Sequence, residues 1–172
     1  MNASAVLITK EKKYPQDVLD SLKEFDEIIV KTESPSIYQR YLLAGQARHD
    51  IIYVQDDDCL TDYRALWEHY DGRLTNAMTE HHKGYYRGAG ITLVGWGCYF
   101  PKQMLNSLDK YIGRWGVDSL LLREADRAFT YLNQPHNEII MPHVDLRQEG
   151  RMSHERTHYA SMRLMLDKLR LL

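Results

Sequence analysis

The chain is read as an α/β protein: one domain built on a Rossmann-like, mostly parallel sheet flanked by helices. Three observations carry that reading. The first sixty residues alternate short apolar runs with stretches of helical spacing, a β-α-β-α-β order that favours parallel, right-handed crossovers. The third apolar run, Ile51-Ile52-Tyr53-Val54-Gln55, ends abruptly in Asp56-Asp57-Asp58. At 172 residues the chain has room for one sizeable core and little more.

Ala5 to Thr9 is the first strand, followed by the polar turn Lys10-Glu11-Lys12-Lys13-Tyr14-Pro15, whose proline suits a helix start. Val18, Leu19, Leu22 and Phe25 recur at helical spacing. Glu27 to Val30 is the second strand, and Ser34-Pro35 opens a helix carrying Ile37, Tyr41, Leu42 and Ala44. Beyond the acids, Thr61 to Tyr70 reads as a short helix, Arg73 to Met78 as a strand and Ile91 to Phe100 as a longer one. Gly95 and Gly97 mark a bulge in that strand, or a place where backbone comes close to a ligand. Pro101 starts a helix through Leu105 and Leu108, and Asp118 or Ser119 caps another over Leu120 to Leu132. Glu138 to Met141 is a last strand, and an amphipathic helix follows from Ser153.

In sheets of this kind ligands bind beyond the carboxyl ends of the strands. The loop after Thr9, the turn around Lys31 to Ser34 and the three acids therefore converge. Side chains alternate along an extended backbone, so Asp56 and Asp58 are expected on one side and Asp57 on the other. Three adjacent carboxylates repel one another and call for a positive partner. A hard divalent cation, Mg²⁺ or Mn²⁺, takes oxygen ligands and shares them with phosphates. The bland alternative is a solvated strand end whose acids cap the next helix.

Composition narrows the function classes. Apolar residues make up 44% and charged residues 27%, as in ordinary globular proteins. A net charge of −2 supplies no basic field for a nucleic-acid partner. No apolar run reaches the length of a membrane span, and no charged-then-apolar leader opens the chain. Cys59 and Cys98 have neither metal-ligand spacing nor a disulfide framework, which fits free thiols in a reducing cytoplasm.

The run into Gln55-Asp56-Asp57-Asp58, with the helix Arg40-Tyr41-Leu42-Leu43-Ala44 before it, resembles small metal-dependent glycosyltransferases of the GT-A fold. The triple acid is also similar to that of exostosin-like glycosyltransferases. Gly95 to Pro101 resembles their glycine-containing strand beside the acceptor site, and Ala125 to Leu132 their later helix, which usually starts with Glu-Asp. Ser153 and His158 stand like the serine and late histidine that complete the metal site in many members. The resemblance implies transfer of a sugar from a nucleotide diphosphate donor, a UDP- or GDP-sugar, with Mn²⁺ or Mg²⁺ holding the diphosphate. It divides the single domain into a nucleotide half over about 1–60, an acceptor side over about 61–152 and a C-terminal helix over about 153–172. The acceptor is open: a glycan, a lipid, a small metabolite or a modified nucleobase.

On this reading Asp58, furthest out on the strand end, is the first metal ligand. Asp56 reaches a ribose hydroxyl, the metal or a metal-bound water, while Asp57 is held by backbone amides or faces the nucleotide. Asp126 is the candidate general base for the acceptor hydroxyl, with Glu124 as its rival because the helix reads Glu-Ala-Asp. The plain alternative for Asp126 is an ion pair with Arg123. His158 is a third metal ligand, with His154 one turn earlier as the competing choice. Thr9, Lys10 and Arg40 are expected around the base and ribose, and Arg163 at the diphosphate. Arg163 reads equally as the exposed face of the last helix. Trp96 either stacks on a sugar or belongs to the core, with Gly95 beside it. Tyr86 lies in the loop Glu80 to Gly90, which is a lid or an ordinary long loop.

Two other classes compete. A nucleotide-binding module without turnover would keep the acids and lose transfer. A metal-dependent phosphohydrolase would use them in a two-metal site, although the small Gly-Thr of aspartate-based phosphatases does not follow Asp58. An EF-hand is excluded, because its glycine and terminal glutamate are missing.

Overall fold

The computed structural model describes residues 1–79, 89–146 and 155–172, with the backbone alone at His143, Asp145 and 155–158. Its main sheet has six strands in the order β2-β1-β3-β6-β5-β7. These are β1 (Ser4–Ile8), β2 (Glu27–Lys31), β3 (Ile51–Gln55), β5 (Thr75–Met78), β6 (Cys98–Pro101) and β7 (Asn137–Ile140). β1 runs parallel to β2 and β3, and β5 parallel to β7. β6 alone is antiparallel, to both β3 and β5. The α/β, mostly parallel expectation holds, with one reversed strand at the centre.

Both faces of the central strands are covered, and their side chains divide with the period of two that a pleated backbone imposes. Val6, Ile52, Val54, Cys98 and Phe100 pack on one face with Tyr41, Ala44 and Phe129. That layer comprises α2 (Gln39–Gln46), α4 (Leu108–Trp115), α5 (Ser119–Leu132) and α6 (Glu155–Leu169). Ala5, Leu7, Tyr53 and Tyr99 pack on the other with Val18, Phe25, Tyr63 and Leu66. There the cover is α1 (Gln16–Ser21) and α3 (Tyr63–Glu68), whose N-cap Asp62 accepts the amides of Arg64 and Ala65.

Four local expectations change. The long strand over Ile91 to Phe100 shrinks to Cys98–Pro101. Gly97 has φ +104 with its carbonyl bound by Ala77 N at 2.9 Å, and its amide folds back on Val94 O, so the segment before β6 turns instead of extending. β3 stops at Gln55 and Asp57-Asp58 form a turn, so simple alternation does not carry through the acids. Residues 59–61 then make a short strand, β4 (Cys59–Thr61), antiparallel to β8 (His143–Asp145). The helix expected from Pro101 begins as a 3-10 segment, Lys102–Ser107, and becomes α-helical only at Leu108. α2 begins at Gln39, because Ser34 Oγ donates to Ser36 O at 3.0 Å and holds a turn ahead of it.

Candidate active site

Parallel β1 and β3 end side by side, and the backbone leaving β3 places three acids next to the residue leaving β1. Thr9, buried at the end of β1, donates its hydroxyl to Asp57 Oδ2 and accepts Glu11 N at 3.1 Å. The Asp57 carboxylate is thus held by a side chain, where backbone amides were one expectation. Lys10, next along, is exposed. Asp58 O accepts the amide of Leu146 at 2.6 Å, which fastens the segment after β8 to the acid turn.

Asp56 takes a different partner. Its amide bonds Gly95 O at 2.6 Å, and its Oδ1 accepts Arg40 Nη2. Arg40, expected at the nucleotide, is only 2% exposed and also donates through Nη1 to Asp126 Oδ2 at 2.9 Å. Tyr41 completes the group by donating its hydroxyl to Asp126 Oδ1 at 2.7 Å. Two neighbouring residues of α2 therefore bind both oxygens of one carboxylate on α5, and the same arginine reaches the turn after β3. Burial opposes the charge on Arg40, but the two carboxylates more than offset it and raise its pKa. Burial raises the pKa of Asp126 first and nearby Asp56 adds to this, against the downward pull of Arg40 and Tyr41. The Asp126 side chain retains 25% exposure, and that of Asp56 42%. Asp126 is thus bonded across to α2 and not to Arg123.

Glu124, the other candidate base, is turned away into the protein. It sits at a break in α5 (φ −114, ψ 24) and is 1% exposed. Its carboxylate accepts Arg127 Nη1 on one oxygen and Ser161 Oγ of α6 on the other. Trp96 is buried, 9% exposed, and its carbonyl accepts the Thr61 hydroxyl. Arg163 lies on the exposed side of α6. His158 is on the same helix, but its side chain, like Tyr86 and His154 altogether, lies outside the described residues.

Two features of the site gave no signal in the sequence read as periodicity. Tyr41 looked like one more apolar-face residue of α2. Tyr14, from the loop after β1, buries a hydroxyl that has no hydrogen-bond partner among the described residues. Burial, then the charges of Asp56 and Asp57, raise its pKa, so it stays a neutral phenol. The Cys59 thiol is likewise pushed up by burial and by Asp56 and Asp58, and both cysteines are free.

Among the described residues no three His, Cys, Asp or Glu side chains form a metal cage. Mg²⁺ does not require one: it is commonly held by one or two carboxylates plus substrate phosphates. Asp57 and Asp58, half-buried after β3, are acids of the kind that could serve in such a set, while Asp56 is tied to Arg40. The hollow lined by Gly45, Asp50, Ile51, Pro101 and Lys102 lies at the other end of β3 and takes no part.

No family model matches the chain, and no curated protein sequence does. Among solved structures, it is similar to glucosyl-3-phosphoglycerate synthase from Mycobacterium tuberculosis, determined with Mg²⁺ and uridine diphosphate. The likeness covers 98% of this chain and 78% of that one, with a TM-score of 0.54 at 12% identity. No helix among the described residues is long and apolar enough to cross a membrane. The chain has the GT-A type of fold.

Proposed function

We propose that the protein transfers a sugar from a nucleoside diphosphate donor to an acceptor hydroxyl. The single observation that carries this reading is that the acid turn after β3 is tied through Arg40 to Asp126 of α5. Asp57 is bonded to Thr9, Asp58 follows it in the turn, and Asp126 is held 2.9 Å from the Arg40 guanidinium. That gives carboxylates suited to a cation, and a separate, oriented carboxylate joined to the same turn through Arg40. The structural neighbour's bound Mg²⁺ and UDP support the same donor class.

Asp58, with Asp57, would hold a divalent cation, Mg²⁺ or Mn²⁺. Such an ion, when bound, stabilises the charge that develops on a departing diphosphate. The protein's own part is orientation and proton handling. Thr9 fixes Asp57. Asp126, oriented by Arg40 and Tyr41, accepts the proton of the attacking hydroxyl at a carboxylate oxygen. Its raised pKa makes it a stronger base than an exposed aspartate. Lys10, exposed beside the mouth, offers a cation to the donor.

The test is binding and turnover of UDP- and GDP-sugars with Mn²⁺, with Mg²⁺ and with chelator. The expected result is metal-dependent binding, with release of nucleoside diphosphate. Hydrolysis of simple phosphate esters, or no nucleotide binding under any of these conditions, overturns the proposal.

A further inference from the structure

We infer that Arg40 is a positioning residue: a buried strut that ties the acid turn after β3 to Asp126 and does not touch the donor nucleotide. The inference rests on the proposed reading for its meaning, and on side-chain geometry for its argument. Arg40 is 2% exposed on the face of α2 that also carries Tyr41 and Ala44 into the core. Its two terminal nitrogens are already used, Nη2 on Asp56 and Nη1 on Asp126. Nε is buried and has no partner among the described residues, and with the residue 2% exposed the guanidinium is almost wholly shut off from solvent. A planar, permanently charged fork is the one side chain that spans two carboxylates from different elements in this way.

The consequence is a link between two separate elements of the site. The turn after β3 carries the acids on the donor side, and α5 carries Asp126 on the acceptor side. These residues are far apart in sequence, and Arg40 is the described side chain that bonds to both. Asp126 keeps its orientation through two donors from consecutive residues, Arg40 on Oδ2 and Tyr41 on Oδ1. The groups facing it are Arg40 and Tyr41 from α2, Asp56 from the turn after β3 and the Cys98 thiol from β6. Arg40 is the positive one, so removing it must weaken the charged form of Asp126.

The test uses the full chain labelled with ¹³C at aspartate, with Asp126→Asn to assign the Asp126 carboxyl signal. Wild type, Arg40→Gln and Tyr41→Phe are titrated by NMR, and the affinity of UDP and GDP with Mg²⁺ is measured for each. The expected result is that the Asp126 midpoint rises in both variants, more in Arg40→Gln. Nucleotide affinity is expected to change by less than about tenfold. A tenfold or greater loss of nucleotide affinity, with the Asp126 signal unmoved, overturns the inference and makes Arg40 a nucleotide contact. If Arg40→Gln does not fold, Tyr41→Phe decides, because it removes one bond to Asp126 without removing a charge. An unmoved midpoint there also overturns the inference. If wild type binds neither nucleotide, the transferase reading falls, while the carboxyl titration still judges the strut.

Discussion

A methyl group on Gly95 would overlap Oδ2 of Asp56 outright. The two residues are also joined through the backbone, Asp56 N to Gly95 O at 2.6 Å. The glycine is therefore required for close approach, since a carboxylate occupies the space that a Cβ would fill. Gly95→Ala is expected to push the Asp56 side chain off Arg40 and to lower stability by about 1–3 kcal/mol, the usual range for overpacking a tight site. Thermal unfolding measures the loss, and the Asp126 carboxyl signal reports whether the strut has moved. A variant as stable as wild type means the turn relaxes freely and Gly95 is not a constraint.

Metal dependence is the next expectation. Asp58→Asn is compared with wild type at temperatures where both are folded, so that binding and not stability is read. It should cost at least about tenfold in the affinity of UDP measured with Mn²⁺, and chelator should do the same to wild type. Equal affinity for wild type and Asp58→Asn, with and without the ion, removes the cation from the mechanism.

Thr9 is expected to matter through Asp57. Thr9→Val keeps shape but loses the hydroxyl that binds both Asp57 Oδ2 and Glu11 N. A stability loss of about 0.5–1.5 kcal/mol follows from losing these partly buried hydrogen bonds. Urea unfolding tests this, and an unchanged midpoint would mean that water replaces the hydroxyl at no cost.

How far the sequence reached can be argued from these same residues. β1, β2 and β3 were legible because each is an apolar run bounded by polar turns, and the acids were legible because they stand at the end of one. The reversed direction of β6 was not, since nothing in Cys98-Tyr99-Phe100 encodes strand polarity. β4 and β8, three residues each, are too short for any periodicity to register. Arg40 carried a signal that was read only in part. An arginine on the apolar stripe of a helix implies a buried counter-charge, but its partner Asp126 lies 86 residues away and only the fold brings them together. Glu124 and Asp126 were indistinguishable as acids on one helix until the break at Glu124 turned one inward and left the other bonded to α2.

That separation makes its own prediction. Glu124 is buried against Arg127 and Ser161, so Glu124→Gln removes the carboxylate facing a buried guanidinium. Breaking such a pair from one side costs about 3–5 kcal/mol. Donor turnover per folded molecule should stay within about threefold, because general-base removal costs roughly 10²-fold or more. Asp126→Asn is expected to cost less stability, because Arg40 keeps Asp56 as a counter-charge, and to lose at least about 10²-fold in turnover. Swapped outcomes would exchange the roles of the two acids.

Asp118 supplies a pH-dependent tie between the last two helices. Its Oδ1 caps α5 by accepting Leu121 N at 2.7 Å, and its Oδ2 accepts Lys168 Nζ of α6 at 2.5 Å. Tyr111 of α4 donates to the same carboxylate at 3.1 Å. Burial works against its ionisation, but Lys168, the Leu121 amide and Tyr111 together hold its pKa below the ordinary 3.8. The folded pKa lies below the unfolded one, so the stabilisation is complete above about pH 4 and fades as pH falls through the folded value. Asp118→Asn keeps the cap and discards the charge. It should be less stable than wild type by about 1 kcal/mol at pH 7, modest because both partners are partly exposed. Urea unfolding at pH 7, 5, 4 and 3 should show the gap closing only at the acid end. A gap that persists undiminished at pH 3 would mean that the ion pair with Lys168 contributes nothing and that the asparagine simply packs less well.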